Sequence, residues 1–129
     1  MEPRTHLGIS LRLVGQPVEI SPGVARVRLE TLAEMSADDR GLVHGGFTFG
    51  LADYAAMLAV NDPNVVLGAA QTRFLAPVVC GEVLEATARV VEEKGKKRQV
   101  ECVVMTSKVV FEGVFTCYVL DGHVLDAQG

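Results

Sequence analysis

The run His44-Gly45-Gly46-Phe47-Thr48-Phe49-Gly50-Leu51-Ala52-Asp53-Tyr54-Ala55-Ala56-Met57 holds the residues best suited to chemistry in this chain. Two glycines follow a histidine, and one acid, Asp53, stands in a stretch that is otherwise apolar on every side. A helix apolar all round is a buried helix. A carboxylate inside one is costly unless it is paired or used, which makes Asp53 a candidate general base or nucleophile. Gly45 and Gly46 open the same helix, where backbone N–H groups have no intrahelical partner and the dipole is positive. Lacking a Cβ, they let a carbonyl approach the backbone closely, so they are candidate donors to an oxyanion. The competing structural readings are tight entry of the loop for the glycines and a satisfied buried acid that holds an interface for Asp53.

Gly45 and Asp53 are eight positions apart, which places them about 12 Å apart along a helix axis. One carbonyl cannot touch both, so a complete site needs Gly45 from one chain and Asp53 from another. His44, beside the glycines, either packs against the loop or positions a substrate, and is carried as a site residue rather than as the base. His6 and His123 sit near the termini with no partner pattern.

The elements that must position this run can be read from periodicity. Ala25, Val27 and Leu29 alternate with Arg26, Arg28 and Glu30, as in a half-buried strand. Residues 7–20 read as a lead-in, an irregular helix and then an extended piece ending at the Ser21-Pro22-Gly23 turn. Residues 33–42 form a polar loop feeding a helix over 47–60, which stops near Asn61-Asp62-Pro63 because proline and the residue before it leave helical geometry. Beyond Pro63 everything reads as sheet: Val65–Leu75, Glu82–Glu93, a turn at Lys94-Gly95-Lys96, Arg98–Met105, and Val109–Leu120. The tail 121–129 is expected to be loose.

Five strands and one long helix in this order suit an α+β domain in which a curled antiparallel sheet wraps the helix. The last strand carries Val109, Phe111, Phe115, Cys117 and Val119 in one parity and Val110, Val114, Tyr118 and Leu120 in the other. Such a strand needs cover on both faces. With no second helix available, a second copy of the chain is the expected cover.

At 129 residues the chain is read as one domain, 1–129, with its core at about 24–120. A net charge of −4 argues against a nucleic-acid or membrane-surface partner. The 47–60 helix is too short for a bilayer and carries Asp53. The start Met1-Glu2-Pro3-Arg4-Thr5-His6 lacks a signal pattern, so the expected location is cytoplasmic. Cys80, Cys102 and Cys117 form no CxxC pair, which fits reduced thiols and offers no metal site.

His44-Gly45-Gly46 followed by Leu51-Ala52-Asp53 and Ala55, then Arg73-Phe74-Leu75-Ala76-Pro77 with Gly81-Glu82, resembles the hotdog-fold acyl-CoA thioesterases. The likeness is to the phenylacetic-acid-pathway type with its HGG-x6-D helix and covers roughly residues 24–120. A second likeness, through the Arg-Phe-x-x-Pro strand end, is to the acyl-CoA-sensing domains of bacterial lipid regulators, which bind without hydrolysing. The first resemblance implies a hotdog fold, a dimer or tetramer with shared sites, and thioester hydrolysis. Asp53 would then act as base or nucleophile and the Gly45 N–H as oxyanion donor, with Gly46 close to the substrate. No cofactor is implied, coenzyme A being part of the substrate.

Lys94, Lys96, Lys97 and Arg98 form the one dense basic cluster, either a solvated hairpin tip or a contact for coenzyme A phosphates. Arg73 is a further candidate for that contact. Two departures from the family pattern stand out. Many members carry a Ser or Thr about ten residues before the strand-end proline, where this chain has Val66-Leu67-Gly68-Ala69-Ala70. Many also have an Asn six residues before the histidine, where this chain has Asp38. The alternative function is therefore an acyl-CoA-binding domain without turnover. A hotdog hydratase is less suited, because the His–acid dyad it needs is not found.

Overall fold

A computed structural model describes residues 1–127. Its strands are β1 (Gln16–Ser21), β2 (Val24–Glu30), β3 (Val65–Phe74), β4 (Val83–Lys94), β5 (Lys97–Met105) and β6 (Val109–Val119), with one helix, α1 (Gly45–Val60). All pairings are antiparallel, and the sheet order is β1-β2-β4-β5-β6-β3. The sheet curls around α1, which packs chiefly on β2, β4 and β5. This is the hotdog architecture that the resemblance implies.

The sheet has six strands, one more than the periodicity suggests. The extended piece before Ser21 is β1, turned into β2 at Gly23, whose φ of 77° favours glycine. Residues 7–14 form turns rather than an irregular helix. The loop at 33–42 holds a 3-10 turn, Ala33–Met35, and the tail holds another, Val124–Ala127. Residues 128 and 129 of that tail lie outside the described residues.

Alternation in β2 and β4 is as expected. Ala25, Val27 and Leu29 with Leu84, Ala86 and Ala88 are buried against the helix, while Arg26 bridges Glu19 and Glu85 on the opposite face. The helix ends at Asn61, which adopts the left-handed conformation and donates its N–H to the Met57 carbonyl. The Asn61 side chain ties the first residues down, accepting from Arg4 N–H and donating to the Glu2 carbonyl.

The two-parity reading of β6 is corrected. Val104 pairs with Phe111 but Met105 pairs with Val109, so Val110 is an extra, bulged residue that turns inward and is buried. On the outer sheet face Val83, Val103, Met105, Val109, Val114 and Tyr118 are exposed, interleaved with Glu85, Thr87, Arg89 and Glu101. The bulge exchanges Val110 for Val109 on that face. The other open feature is β3, which pairs with β6 on one side only and leaves its second edge bare.

Candidate active site

Gly45 and Gly46 are the first two residues of the helix, as read from the sequence, and stand just ahead of its apolar stretch at 47–60. His44 is the extended residue ahead of them; its N–H donates to the Met35 carbonyl, and its own carbonyl accepts from Phe47 N–H. Among the described residues no backbone carbonyl accepts from the Gly45 or the Gly46 N–H. Both belong to the orphan donors of a helix start.

Each glycine is also shaped by a neighbouring ring. A Cβ on Gly45 would stand 3.1 Å from Phe74 Cε1, and one on Gly46 would stand 2.9 Å from His44 Nε2. His44 is exposed, lies over Gly46 and meets Phe47 edge-on. Phe74 is 57% exposed and, with Leu42, Leu75 and Pro77, walls a cleft of about 290 Å³ that reaches Gly45 and Thr48. Behind it Phe74, Phe111, Phe115 and Phe49 pack ring to ring, the tightest contact being Phe74–Phe111 with centroids 5.1 Å apart. Asp38, at the position of the family's Asn, accepts from the Arg40 and Leu42 N–H groups and so shapes the loop leading to His44.

Asp53 lies two turns further along α1. Its Oδ1 is fully enclosed and has no hydrogen-bond partner. Burial pushes its carboxyl up to about 6. Burial, and then the charge of Asp53, pushes the Cys117 thiol up to about 12, which places that thiol in the field of the carboxylate. Gly50, one turn before Asp53, faces open space, with nothing within 4 Å of where its Cβ would be. Gly50 thus leaves open space one turn before the acid, and the acid itself lies near Cys117 of β6.

Gly45 and Asp53 share one helix and are separated as their spacing requires. The basic tip is also distant. Lys97 pairs with Tyr118, whereas Phe74 pairs with Phe111, seven residues along β6; that is about 23 Å. Within the tip, Lys96 is bound to Asp121 and Arg98 to Glu93. Arg73 reaches Glu112, its cross-strand neighbour, on the outer face.

Residues 40–110, more than half of the chain, match the sequence profile of the Thioesterase superfamily. The chain belongs to that superfamily. A solved structure of an uncharacterised protein from Pyrococcus horikoshii is 58% identical, with a TM-score of 0.96 and 98% of each chain covered. The E. coli PaaI protein, from the phenylacetic acid degradation operon, is 26% identical, with a TM-score of 0.74 over 80% of this chain and 81% of that one. A curated relative, methylthioribose-1-phosphate isomerase of Aquifex aeolicus, is 54% identical over 124 residues. The match takes in 94% of this chain but 27% of the relative, so the chain spans about a quarter of that protein's length. Among the described residues no helix is long and apolar enough to cross a membrane.

Two residues of this site escape the motif-based reading. Phe74 is visible in the sequence only as part of a strand-end motif, because its approach to Gly45 depends on the β3–β6 register. Thr48 lies three residues after Gly45, a helical spacing that could have marked it as a neighbour on the same face.

Proposed function

We propose that this protein hydrolyses acyl-CoA thioesters at a site shared between two copies of the chain. The observation that carries the proposal is the unpartnered, enclosed Oδ1 of Asp53. A carboxylate that serves only structure is hydrogen-bonded when buried. With its pKa lifted to about 6 it is still ionised at neutral pH, yet basic enough to take a proton from water. The Gly45 N–H supplies the second requirement, a fixed donor to the oxygen that turns negative when the carbonyl carbon becomes tetrahedral.

The bare edge of β3 supports the shared site. Its ten residues include Gly68-Ala69-Ala70 and carry no charge before Arg73, so little blunts it against pairing with another strand. Two β3 strands paired antiparallel about a two-fold axis set the Val65 end of one against the Phe74 end of the other. That pairing brings the partner's helix antiparallel to α1, setting its Asp53 towards Gly45. It also carries the partner's β4–β5 tip to the end of the sheet where the substrate carbonyl would sit, within reach of coenzyme A phosphates.

A second reading, binding without turnover, draws on β3 as well: between Val65 and Gln71 it offers no hydroxyl to orient a water. Free-thiol release from a panel of acyl-CoAs separates the two. Release that falls by about 100-fold or more in Asp53→Asn supports hydrolysis. Tight binding by a wild type that releases no thiol from any of them supports the binding domain.

A further inference from the structure

Thr48 has no part in the chemistry assigned to Gly45 and Asp53. Among the described residues it is one of four buried polar residues, with Thr5, Thr31 and Asn61. The other three have partners. The Thr31 hydroxyl donates to the Glu82 carbonyl, Asn61 clamps the N-terminal segment, and Thr5 meets His6 Nδ1. Thr48 is 3% exposed, and no hydrogen bond of its hydroxyl is found among the described residues, while its oxygen, unlike Asp53 Oδ1, is not sealed from solvent. It lines the cleft beside Gly45.

The rest of that cleft is apolar. Leu42, Phe74, Leu75, Pro77 and Val110 wall it, and its volume of about 290 Å³ sits at the small end of ligand pockets. Gly45 and Thr48 are three residues apart on one helix face, a rise of about 4.5 Å. Helical side chains lean towards the N-terminus, which brings the hydroxyl nearer the Gly45 N–H than that rise. The cleft therefore offers two hydrogen-bonding points within about 4.5 Å of each other along the helix, between apolar walls.

We propose that this cleft takes the acyl group of a short thioester bearing an oxygen at or near C3, with the Thr48 hydroxyl bonding that oxygen while the Gly45 N–H meets the carbonyl. This deepens the thioesterase reading and rests on it for the carbonyl's place. A hydroxyl both donates and accepts, so a 3-hydroxy or a 3-keto acyl group satisfies Thr48 equally. An unsubstituted chain covers the threonine without offering its hydroxyl a partner, which is what discriminates against it.

The test compares 3-hydroxybutanoyl-CoA with butanoyl-CoA, by thiol release and by calorimetric binding, in the wild type, Thr48→Ser and Thr48→Val. The expected wild-type preference for the hydroxylated thioester is about tenfold in kcat/KM and in Kd. Thr48→Ser keeps it, and Thr48→Val, which has the same shape without the hydroxyl, brings the ratio to about one. Equal handling of both thioesters by the wild type overturns the assignment, as does a preference that survives in Thr48→Val. A wild type that binds with the expected preference but releases no thiol removes hydrolysis and supports the Thr48 contact. Failure to bind either thioester overturns both readings.

Discussion

The ring of Phe74 rests against the α-carbon of Gly45 so closely that a β-carbon there would stand 3.1 Å from Cε1. That contact joins the end of β3 to the start of α1, and a β-carbon on Gly45 fits only if the ring moves by a few tenths of an ångström. Phe74 packs on Phe111, 5.1 Å away and nearly perpendicular, and that contact resists its displacement. The two properties asked of Gly45, a free N–H and a missing side chain, can therefore be separated by mutation.

Gly45→Ala keeps the N–H and adds the methyl group; thiol release should fall, and adding Phe74→Ala should make the double variant less impaired than the two single effects combined. Gly45→Pro deletes the donor at a helix position that tolerates proline, after a residue already extended, with ψ 130° at His44. It should cost on the order of 100-fold or more in kcat, and Phe74→Ala should not restore it. Full activity in Gly45→Pro would remove the oxyanion role.

Asp53→Asn should separate catalysis from stability. In the fold the carboxyl titrates near 6, against an ordinary aspartate value of 3.8, so ionisation is disfavoured by folding. Between about pH 4 and 6 the folded state holds the extra proton, and this residue's contribution to stability falls as pH rises through that window. Above it the buried anion is a net cost, of about 1–3 kcal/mol. The variant should thus be at least as stable as the wild type at pH 7 and lose that advantage by pH 4, while kcat drops by about 100-fold or more. Denaturant melts at both pH values check the first part. A variant that unfolds or dissociates at pH 7 would mark Asp53 as a structural acid.

The same carboxyl predicts the pH profile of the reaction. As a base or nucleophile it must be ionised, so kcat/KM should rise tenfold per pH unit below about 6 and level off above it. A profile flat from pH 5 to 8 would point to another group.

Much of this was legible in the chain because the signals are local. The alternation of Ala25, Val27 and Leu29 and the stop at Asn61-Asp62-Pro63 depend only on neighbours, and the structure follows both. What was hidden depends on register. Val110 turns inward only because a bulge offsets β5 from β6, and that reversal cannot be seen in the parity of β6 alone. Strand β1 is short and irregularly patterned, and its pairing with β2 rather than its own periodicity defines it. Asp53 and the two glycines stood out because each breaks the apolar pattern around it. Phe74 and Thr48 do not break it strongly enough to be read as site residues without the fold.

The basic tip makes an unequal prediction for its four residues. Lys96 is bound to Asp121, and Arg98 is bound to Glu93 and to the carbonyls of Gly95 and Lys97. Arg98→Glu should therefore disturb the hairpin itself. Lys94→Glu and Lys97→Glu should raise KM for an acyl-CoA several-fold with kcat little changed, and should leave the same acyl group on pantetheine unaffected. Equal effects on the two carriers would return the cluster to a solvated turn.

The shared site makes the strictest prediction, because it requires two defective chains to repair each other. In a mixed dimer of Gly45→Pro and Asp53→Asn, the Asp53→Asn chain still carries the Gly45 N–H and the Gly45→Pro chain still carries Asp53. If each site draws Gly45 from one chain and Asp53 from its partner, one of the two sites in the mixed dimer is intact and the other has lost both groups. Co-expressed chains bearing different affinity tags, purified for the heterodimer, should then recover about half of the wild-type rate per dimer, while each parent stays about 100-fold or more below it. If both groups of a site came from one chain, every site in the mixture would stay broken and no activity would return. A wild type that sediments as a monomer at micromolar concentration would sink the shared site before the mixing experiment, since the 12 Å or so between Gly45 and Asp53 along one helix leaves a single chain unable to bring both to one carbonyl.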